Sequence, residues 1–178
     1  MDIFGGDSLL VAITIYMYFI YSENEKGGGR KMKITKGFKL FQPWASHVVE
    51  GKLNFLVRSI STRYRGRVGV IATKGVDNVW LTKASEEEIK RIEDRVGVIG
   101  SVEIKDCIEV SSNEIEEKLI ELAGKDYLDY YPKYLIPRKK GDEPIYIWVL
   151  ENAREWEEPV KVEGGGILWS KLDLEEKD

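Results

Sequence analysis

The sequence predicts one small α+β barrel, on the basis of three observations. Short apolar segments, roughly six or seven in number, are separated by glycines and turn residues, as in sheets of short strands. Segments with helix-capping residues lie between them without the regular strand–helix alternation of a doubly wound parallel sheet. Of the 178 residues, 43% are apolar and 33% are charged, which suffices for one hydrophobic core and excludes a wholly disordered chain.

The first part of the predicted barrel contains three strands and one short helix. The strands are predicted at residues 32–41, 52–59 and 67–73. Residues 43–50 are predicted as a helix, because Pro43 suits the first helical position and Gly51 suits the residue after the end. The third strand is mostly apolar, which indicates a central position, and residues 62–66 form a basic loop before it.

The second part is predicted as further strands, two amphipathic helices and an aromatic segment. The strands are predicted at residues 97–110, 145–150, 160–162 and 167–172. Ser85 and Glu88 have the spacing of a capping box, which predicts a helix up to about residue 95. Ser112 or Asn113 is predicted to cap a second helix, which extends to about residue 123 and ends at a glycine. The aromatic segment 127–135 is predicted as a third short helix.

Residues 1–31 differ from the rest of the chain. Residues 9–21 are an uncharged apolar run, shorter than the roughly 20 residues that cross a bilayer. The glycines before Met32 favour a translated leader, because glycine codons begin with GG and can form a purine-rich ribosome-binding site upstream of the true start. A short membrane anchor and an ordinary structured extension are the alternatives. We therefore expect residues 32–178 to form the single domain.

Charge is distributed unevenly along the chain. Residues 32–75 contain nine basic residues and one acidic residue, a net charge of +8, whereas residues 76–178 have a net charge of −11. A basic block in an otherwise acidic chain indicates a surface that faces an anion such as nucleic acid. The alternative is that these basic residues pair with the acidic remainder of the chain on folding.

Composition and motifs exclude several classes of site. The single cysteine, Cys107, excludes a disulfide scaffold, and the single histidine, His47, argues against a histidine metal site or a Ser–His–Asp triad. The sequence contains no P-loop, Rossmann glycine pattern or HExxH motif, so no metal or organic cofactor is expected. The abundance of Lys, Glu, Ile and Val is typical of thermophile proteins. We expect a cytoplasmic location and no membrane partner.

Two features are candidates for ligand contact. The block from Gln42 to Ser46 brings an amide, an indole and a hydroxyl to a strand–helix junction. Residues 58–67 are rich in arginine, and guanidinium groups bind phosphate bidentately while a neighbouring tyrosine can stack on a base. The alternatives are a core position for Trp44 and surface ion pairs for the arginines. The predicted nucleic-acid contacts are Gln42, Trp44, Ser46, Lys52, Arg58, Arg63, Tyr64, Arg65 and Lys74.

The same segments resemble a known family. The chain reads LFQPWASHVVEGKLNFLVRSISTRYRGRVGVIATK from Leu40 to Lys74 and YIWVLENAREWEEPVKVEGGGILWSKL from Tyr146 to Leu172. These stretches resemble the core and the end of the ASCH domain, named after the activating signal cointegrator 1 homology region. The resemblance covers residues 39–172, which is most of the chain.

The resemblance implies a PUA-like fold, a small mixed β-barrel flanked by short helices with a cleft that faces RNA. It also implies that the partner is RNA or another single-stranded nucleic acid, and we expect binding without catalysis. Members of the family include hydrolases of N4-acetylcytidine and proteins described as ribonucleases, so a hydrolase of a modified nucleoside or RNA is the first alternative. A coregulator-type module that binds a protein partner is the second.

A departure from the family pattern leads to a test. Hydrolase members have a lysine and a threonine at the third and sixth positions of a segment that begins here at Gly51, and those positions are Leu53 and Leu56. Lys52 is one place out of register, and leucine side chains can neither activate a nucleophile nor transfer a proton. The purified protein is therefore expected to release no acetate from N4-acetylcytidine in a chromatographic assay. Release above that of an Arg58→Ala variant would favour the hydrolase alternative.

Overall fold

The computed structural model describes residues 31–163, 165, 166 and 168–177, which contain six strands and several short helices. The strands are β1 (Lys31–Gln42), β2 (Phe55–Arg58), β3 (Gly66–Val76), β4 (Gly97–Ser111), β5 (Pro144–Val160) and β6 (Trp169–Lys177). The helices are α1 (Trp44–Val49), α2 (Asn78–Leu81), α3 (Glu86–Glu93), α4 (Ile115–Ala123) and α5 (Tyr127–Tyr130), and a 3₁₀ turn covers Lys133–Leu135.

The six strands of these residues form one mixed sheet in the order β2-β5-β4-β3-β1-β6. Strand β1 runs parallel to β3, whereas β3 with β4, β4 with β5 and β5 with β2 are antiparallel pairs. A mixed sheet accompanied by a few short helices is an α+β fold. The predicted fold class is therefore confirmed against a doubly wound parallel sheet.

The sheet curls until the edge strand β2 approaches β1, although three strands separate them in the order. Nη2 of Arg58 on β2 donates a hydrogen bond to the main-chain carbonyl of Lys39 on β1 over 3.4 Å. Inside the curl, Phe38 of β1 lies edge-on to Trp148 of β5, with ring centroids 5.9 Å apart. The result is a barrel-like core with a cleft between the C-terminal end of β1 and β2.

Helix α1 covers one side of this core. Five of its six residues are buried, and Gly51, just beyond it, has a φ of 72° that ends the helix in the left-handed region, as predicted. A Cβ on Gly100 of β4 would lie 2.7 Å from Cγ1 of Val49 and would also collide with the main-chain carbonyl of Arg154 on β5. The helix therefore rests directly on the backbone of β4, where only glycine leaves room.

The helices confirm one local signal of the sequence and show another that was missed. At α3, the main-chain N–H of Glu88 donates to Oγ of Ser85 over 3.3 Å, and the main-chain N–H of Ser85 donates to the Glu88 carboxylate over 2.9 Å, which is the predicted capping box. Helix α2 was not predicted. It begins because the Asp77 carboxylate accepts hydrogen bonds from the main-chain N–H groups of Val79 and Trp80.

The C-terminal strands differ from prediction in their extent. Strand β5 continues to Val160, so the prediction of a separate strand at residues 160–162 is wrong. Its charged second half stays extended because it pairs with β4, for example at Gly100 with Glu155 and at Val98 with Val160. Cross-strand partners of this kind cannot be read from periodicity. Strand β6 begins at Trp169 and continues beyond the predicted end at residue 172.

The contacts divide the chain into two compact units. One unit runs from Ile34 to Leu174 and contains the hydrophobic core. The described residues of the other unit, 31–33 and 175–177, include an ion pair of 2.7 Å between Lys31 and Glu175. The apolar run 9–21 and the question of a leader lie outside the described residues. Within the described ranges, the helices are too short or too polar to cross a membrane.

The close approach at Gly100 predicts a specific stability change. Gly100→Ala should lower the free energy of unfolding by about 1–3 kcal/mol or more, because the added methyl group forces α1 and β5 away from β4. Gly75→Ala is the matched control, since its Cβ would lie at an ordinary contact distance of 3.6 Å from Cβ of Phe41. Urea denaturation of both variants measures the difference. Equal stability of the two variants would contradict the packing of α1 on β4.

Candidate functional site

A pocket of about 70 Å³ lies in the cleft between β1 and β2. Its apolar lining consists of Leu40, Phe41, Trp44, Leu56, Val57 and Leu135. The guanidinium of Arg58 and the phenol of Tyr131 complete the lining. These residues come from β1, α1, β2 and the segment after α5, so the pocket exists only in the folded chain.

The Arg58 guanidinium carries a positive charge that no carboxylate of the described residues neutralises. Its Nη2 reaches the Lys39 carbonyl over 3.4 Å, its Cζ lies 5.6 Å from the ring centroid of Trp148, and its Nε is buried with no hydrogen-bond partner. Among the described residues, no carboxylate forms an ion pair with it. Burial lowers the pKa of this guanidinium and the nearby Tyr131 opposes that shift, but arginine stays protonated in proteins. The pocket wall therefore presents an unpaired cation.

The Tyr131 hydroxyl is a second donor at the pocket. It accepts a hydrogen bond of 3.1 Å from the main-chain N–H of Val57, so its own proton is left to donate. Burial raises the pKa of Tyr131, while the Val57 hydrogen bond and the Arg58 charge act in the opposite direction. The phenol is thus protonated at neutral pH, and the side chains at the polar end of the pocket offer donors.

Asp77 holds one wall of the pocket in place. Its Oδ2 accepts hydrogen bonds from the indole N–H of Trp44 at 3.0 Å and from the hydroxyl of Tyr134 at 2.8 Å. Its Oδ1 accepts from the main-chain N–H groups of Val79 and Trp80 at 2.8 and 3.1 Å. Burial raises the pKa of Asp77, but these hydrogen bonds outweigh it and hold the pKa below 3.8. The ionised carboxylate therefore joins α1, α2 and the 3₁₀ turn.

A row of aromatic rings begins at Trp148, whose ring lies against the Arg58 guanidinium. Trp169 stacks on Trp148 with ring centroids 5.4 Å apart and an interplanar angle of 21°. Tyr64 lies 6.1 Å from Trp169, and Nζ of Lys36 lies 5.2 Å above the Tyr64 ring. Tyr64, one of the predicted ligand contacts, thus belongs to a row that runs from the basic loop to the pocket.

The predicted Gln42–Ser46 block is divided between the core and the pocket. Gln42 and Ser46 are 1% and 0% exposed, and Oε1 of Gln42 accepts from the main-chain N–H of Ser46 over 3.1 Å. Nε2 of Gln42 donates to the Arg95 carbonyl over 3.3 Å. Trp44 is also buried, at 4% exposed, but it lines the pocket. The structure thus brings Trp44 to the site and uses Gln42 to connect β1 with α1.

Lys52 does not reach the pocket. It lies in the turn before β2, where Nζ is 2.7 Å from the Glu50 carboxylate, and Arg91 pairs with the same carboxylate at 2.8 Å. Leu53 and Leu56 are 2% and 3% exposed, and Leu56 lines the pocket. The positions at which hydrolase members of the resembled family carry a lysine and a threonine are therefore apolar in this structure.

Two arginines of the basic block are engaged within the protein. Arg65 lies 2.9 Å from the Asp106 carboxylate. Arg67 is 9% exposed and lies 3.0 Å from the Glu103 carboxylate. Both pairs connect β3 or its preceding loop to β4. Folding therefore neutralises part of the positive charge of the basic block. This was the alternative that the sequence left open for the arginines.

Other cations remain available to an external anion. Arg63 and Lys74 are exposed, and neither forms an ion pair within the described part of the chain. Lys74 is next to Gly75, whose Cβ position lies 3.6 Å from Phe41 at the pocket. Together with Arg58, they are the predicted cations that the structure leaves without an acidic partner among the described residues.

Sequence reasoning missed Tyr131, Asp77 and Tyr134. The aromatic segment 127–135 is predicted from the sequence as a short helix, and the sequence does not indicate that it lines a pocket. Tyr131 meets Val57 and Asp77 meets Trp44 across long stretches of chain, and nothing in the local pattern encodes those contacts. Within the described residues, no three potential metal ligands are grouped together.

The comparisons with known proteins find similar solved structures but no matching family model or curated protein. No model of a known protein family matches the sequence, and no curated protein matches it. The structure is similar to the crystal structure of ASCH from Zymomonas mobilis, with 16% identity over 67% of this chain and 68% of that chain and a TM-score of 0.42. Two variants of that protein, one with tyrosine replaced by phenylalanine and one with serine replaced by alanine, are similar at 16% and 17% identity and a TM-score of 0.43. The similarity to the tyrosine variant covers 72% of this chain and 76% of that chain. The similarity to the serine variant covers 71% of this chain and 72% of that chain.

The depressed pKa of Asp77 predicts a pH-dependent contribution to stability. A carboxyl of this kind stabilises the fold above its unfolded pKa, and the contribution is lost as the pH falls through the lower folded pKa. At about pH 6 the wild type should therefore have a larger free energy of unfolding than Asp77→Asn, and the difference should shrink below about pH 4. Urea denaturation over this range measures it, with substitution of an exposed carboxylate, Asp129→Asn on α5, as the control. A difference in stability that does not change with pH would contradict the assignment of Asp77 as an ionised carboxylate in the folded protein.

Proposed function

We propose that this chain is an ASCH-type module that binds single-stranded nucleic acid, RNA above all, and does not turn it over. The proposal depends on one observation, the buried guanidinium of Arg58 at an open pocket with no carboxylate partner among the described residues. The sequence resemblance to the ASCH domain suggests the class of ligand, and the position of Arg58 in the pocket lining suggests which side chain would contact a phosphate.

The desolvation cost of Arg58 favours a ligand as its partner. Taking an ion out of water costs several kcal/mol unless an opposite charge or hydrogen bonds compensate. The Lys39 carbonyl at 3.4 Å and the Trp148 ring compensate in part, and Nε stays unpartnered. A phosphate that enters the pocket would pair with the guanidinium fork and accept a further hydrogen bond from Tyr131. Binding would then recover energy that folding leaves uncompensated.

The surroundings of the pocket suit an extended polyanion. Arg63 lies in the loop that follows β2, and Lys74 lies on β3 next to Gly75, whose Cβ position is 3.6 Å from Cβ of Phe41 in the pocket lining. Exposed cations at these places can contact successive phosphates while a single strand passes the cleft. A small neutral ligand would use none of them.

The chemistry of the pocket favours binding over catalysis. Its titratable side chains are Arg58 and Tyr131, and both are protonated at neutral pH. Neither can act as a general base, and Lys52 is paired with Glu50 outside the lining. The remaining lining is aliphatic or aromatic, with the Trp44 indole N–H donated to Asp77. These features support a module that holds a strand and leaves it intact.

The test replaces Arg58 with a side chain of similar length but no charge. Arg58→Met should weaken binding of a labelled single-stranded RNA at least about tenfold, because a hydrogen bond to a charged group contributes about 1.5–3 kcal/mol. It should change the free energy of unfolding little, because the buried charge that it removes has no carboxylate partner among the described residues and only one long hydrogen bond, to the Lys39 carbonyl. Fluorescence anisotropy and urea denaturation provide the two measurements.

The matched control is Arg65→Met, which removes an exposed guanidinium already paired with Asp106. It should change binding much less than Arg58→Met. Each lost phosphate contact should also reduce the slope of log affinity against log salt by about 0.7 for a single strand. Unchanged RNA binding together with lower stability in Arg58→Met would assign Arg58 a structural role and refute the proposal. Binding of an acidic protein in place of RNA would favour an interaction module.

A further inference from the structure

The charge and size of the Arg58 pocket restrict which phosphate it can accept. Among the described residues, its lining contains one cationic side chain, Arg58, and neither an anionic side chain nor a second cation. Neither Lys39 nor Lys74 is part of the lining. The rest of the wall is apolar, apart from the Tyr131 hydroxyl.

We infer that the pocket selects a singly charged phosphodiester over a doubly charged phosphomonoester, so that it reads linkages within a strand and not phosphorylated ends. This inference rests on the proposed function and names the chemical group that the same site takes. It separates two sources of phosphate that the guanidinium alone would not distinguish.

Charge balance is the first reason. A phosphodiester carries one negative charge, which Arg58 neutralises, whereas a phosphomonoester carries about −1.5 to −2 at pH 7. The excess charge of a monoester would sit against the apolar side chains of Leu40, Leu56 and Leu135 with no second cation in the lining. Desolvating an uncompensated charge in such surroundings is unfavourable.

The arrangement of donors is the second reason. Nε of Arg58 is buried, so a ligand meets the end of the guanidinium, where Nη2 forms one hydrogen bond of 3.4 Å to the Lys39 carbonyl. The Tyr131 hydroxyl has a proton left to donate because its oxygen already accepts from Val57. The two non-bridging oxygens of a diester are acceptors only and match these donors. A monoester that takes up a proton to reduce its charge would bring an O–H group, and the lining side chains offer no free acceptor for it.

Size is the third reason. The volume of about 70 Å³ suits a compact group such as the two non-bridging oxygens of a linkage, with the sugars outside. It does not enclose a base, since pockets that enclose drug-sized ligands measure roughly 300–1,000 Å³. The group that enters is therefore the linkage itself.

The experiment compares two small probes on the full chain at neutral pH and constant ionic strength. Dimethyl phosphate is singly charged, and methyl phosphate is mostly doubly charged. The readout is the NMR resonance of Arg58 Nε–H, assigned by its absence in the spectrum of Arg58→Met. We expect dimethyl phosphate to shift this resonance at concentrations at least about tenfold lower than methyl phosphate. Equal potency, greater potency of methyl phosphate, or no shift with either probe would overturn the inference.

A second measurement separates this inference from the proposed function. Two RNA oligonucleotides of one sequence, with a 5′-hydroxyl or a 5′-phosphate, should bind the wild type with the same affinity within about twofold, since the interior linkages are identical. Tighter binding of the phosphorylated strand that disappears in Arg58→Met would refute the selectivity while leaving nucleic-acid binding intact. Selective binding of dimethyl phosphate without binding of either oligonucleotide would support the selectivity and refute the proposed function.

Discussion

The contact between the Arg58 guanidinium and the Trp148 indole determines where the candidate site lies. Trp148 has no exposed surface, and its Nε1 donates to the Ile60 carbonyl over 3.1 Å, which ties down the loop after β2. Arg58 lies 5.6 Å from its ring centroid, and Trp169 of β6 stacks on it. One side chain of β5 thereby contacts Arg58 of β2, the loop after β2 and Trp169 of β6.

The wall opposite depends on a second buried group. Asp77 receives the Trp44 indole and the Tyr134 hydroxyl on one oxygen and begins α2 with the other. A carboxylate with four donors is saturated, so it keeps its charge without presenting it to the pocket. The anionic and cationic groups of this region therefore differ in role, since Asp77 accepts four hydrogen bonds whereas Arg58 has no ion-pair partner among the described residues.

The same distinction changes how the basic block is understood. A net charge of +8 over residues 32–75 indicates an anion-binding surface, but the fold pairs Arg65 with Asp106 and Arg67 with Glu103. These ion pairs use the acidic remainder of the chain, as the alternative interpretation held. Charge counted along a sequence thus overstates the cations available to a ligand, because it does not show which of them folding has already matched.

The sequence by itself determined the features that depend on neighbouring residues. The strand in residues 32–41, the capping box at Ser85 and the left-handed end of α1 at Gly51 follow from propensity, spacing and backbone sterics. Tertiary structure decided which side chains meet. The length of β5 depends on its pairing with β4, and the pocket depends on Tyr131 reaching Val57 across 74 residues. Local patterns cannot encode such contacts, because the partners lie far apart along the chain and become close only when the chain folds.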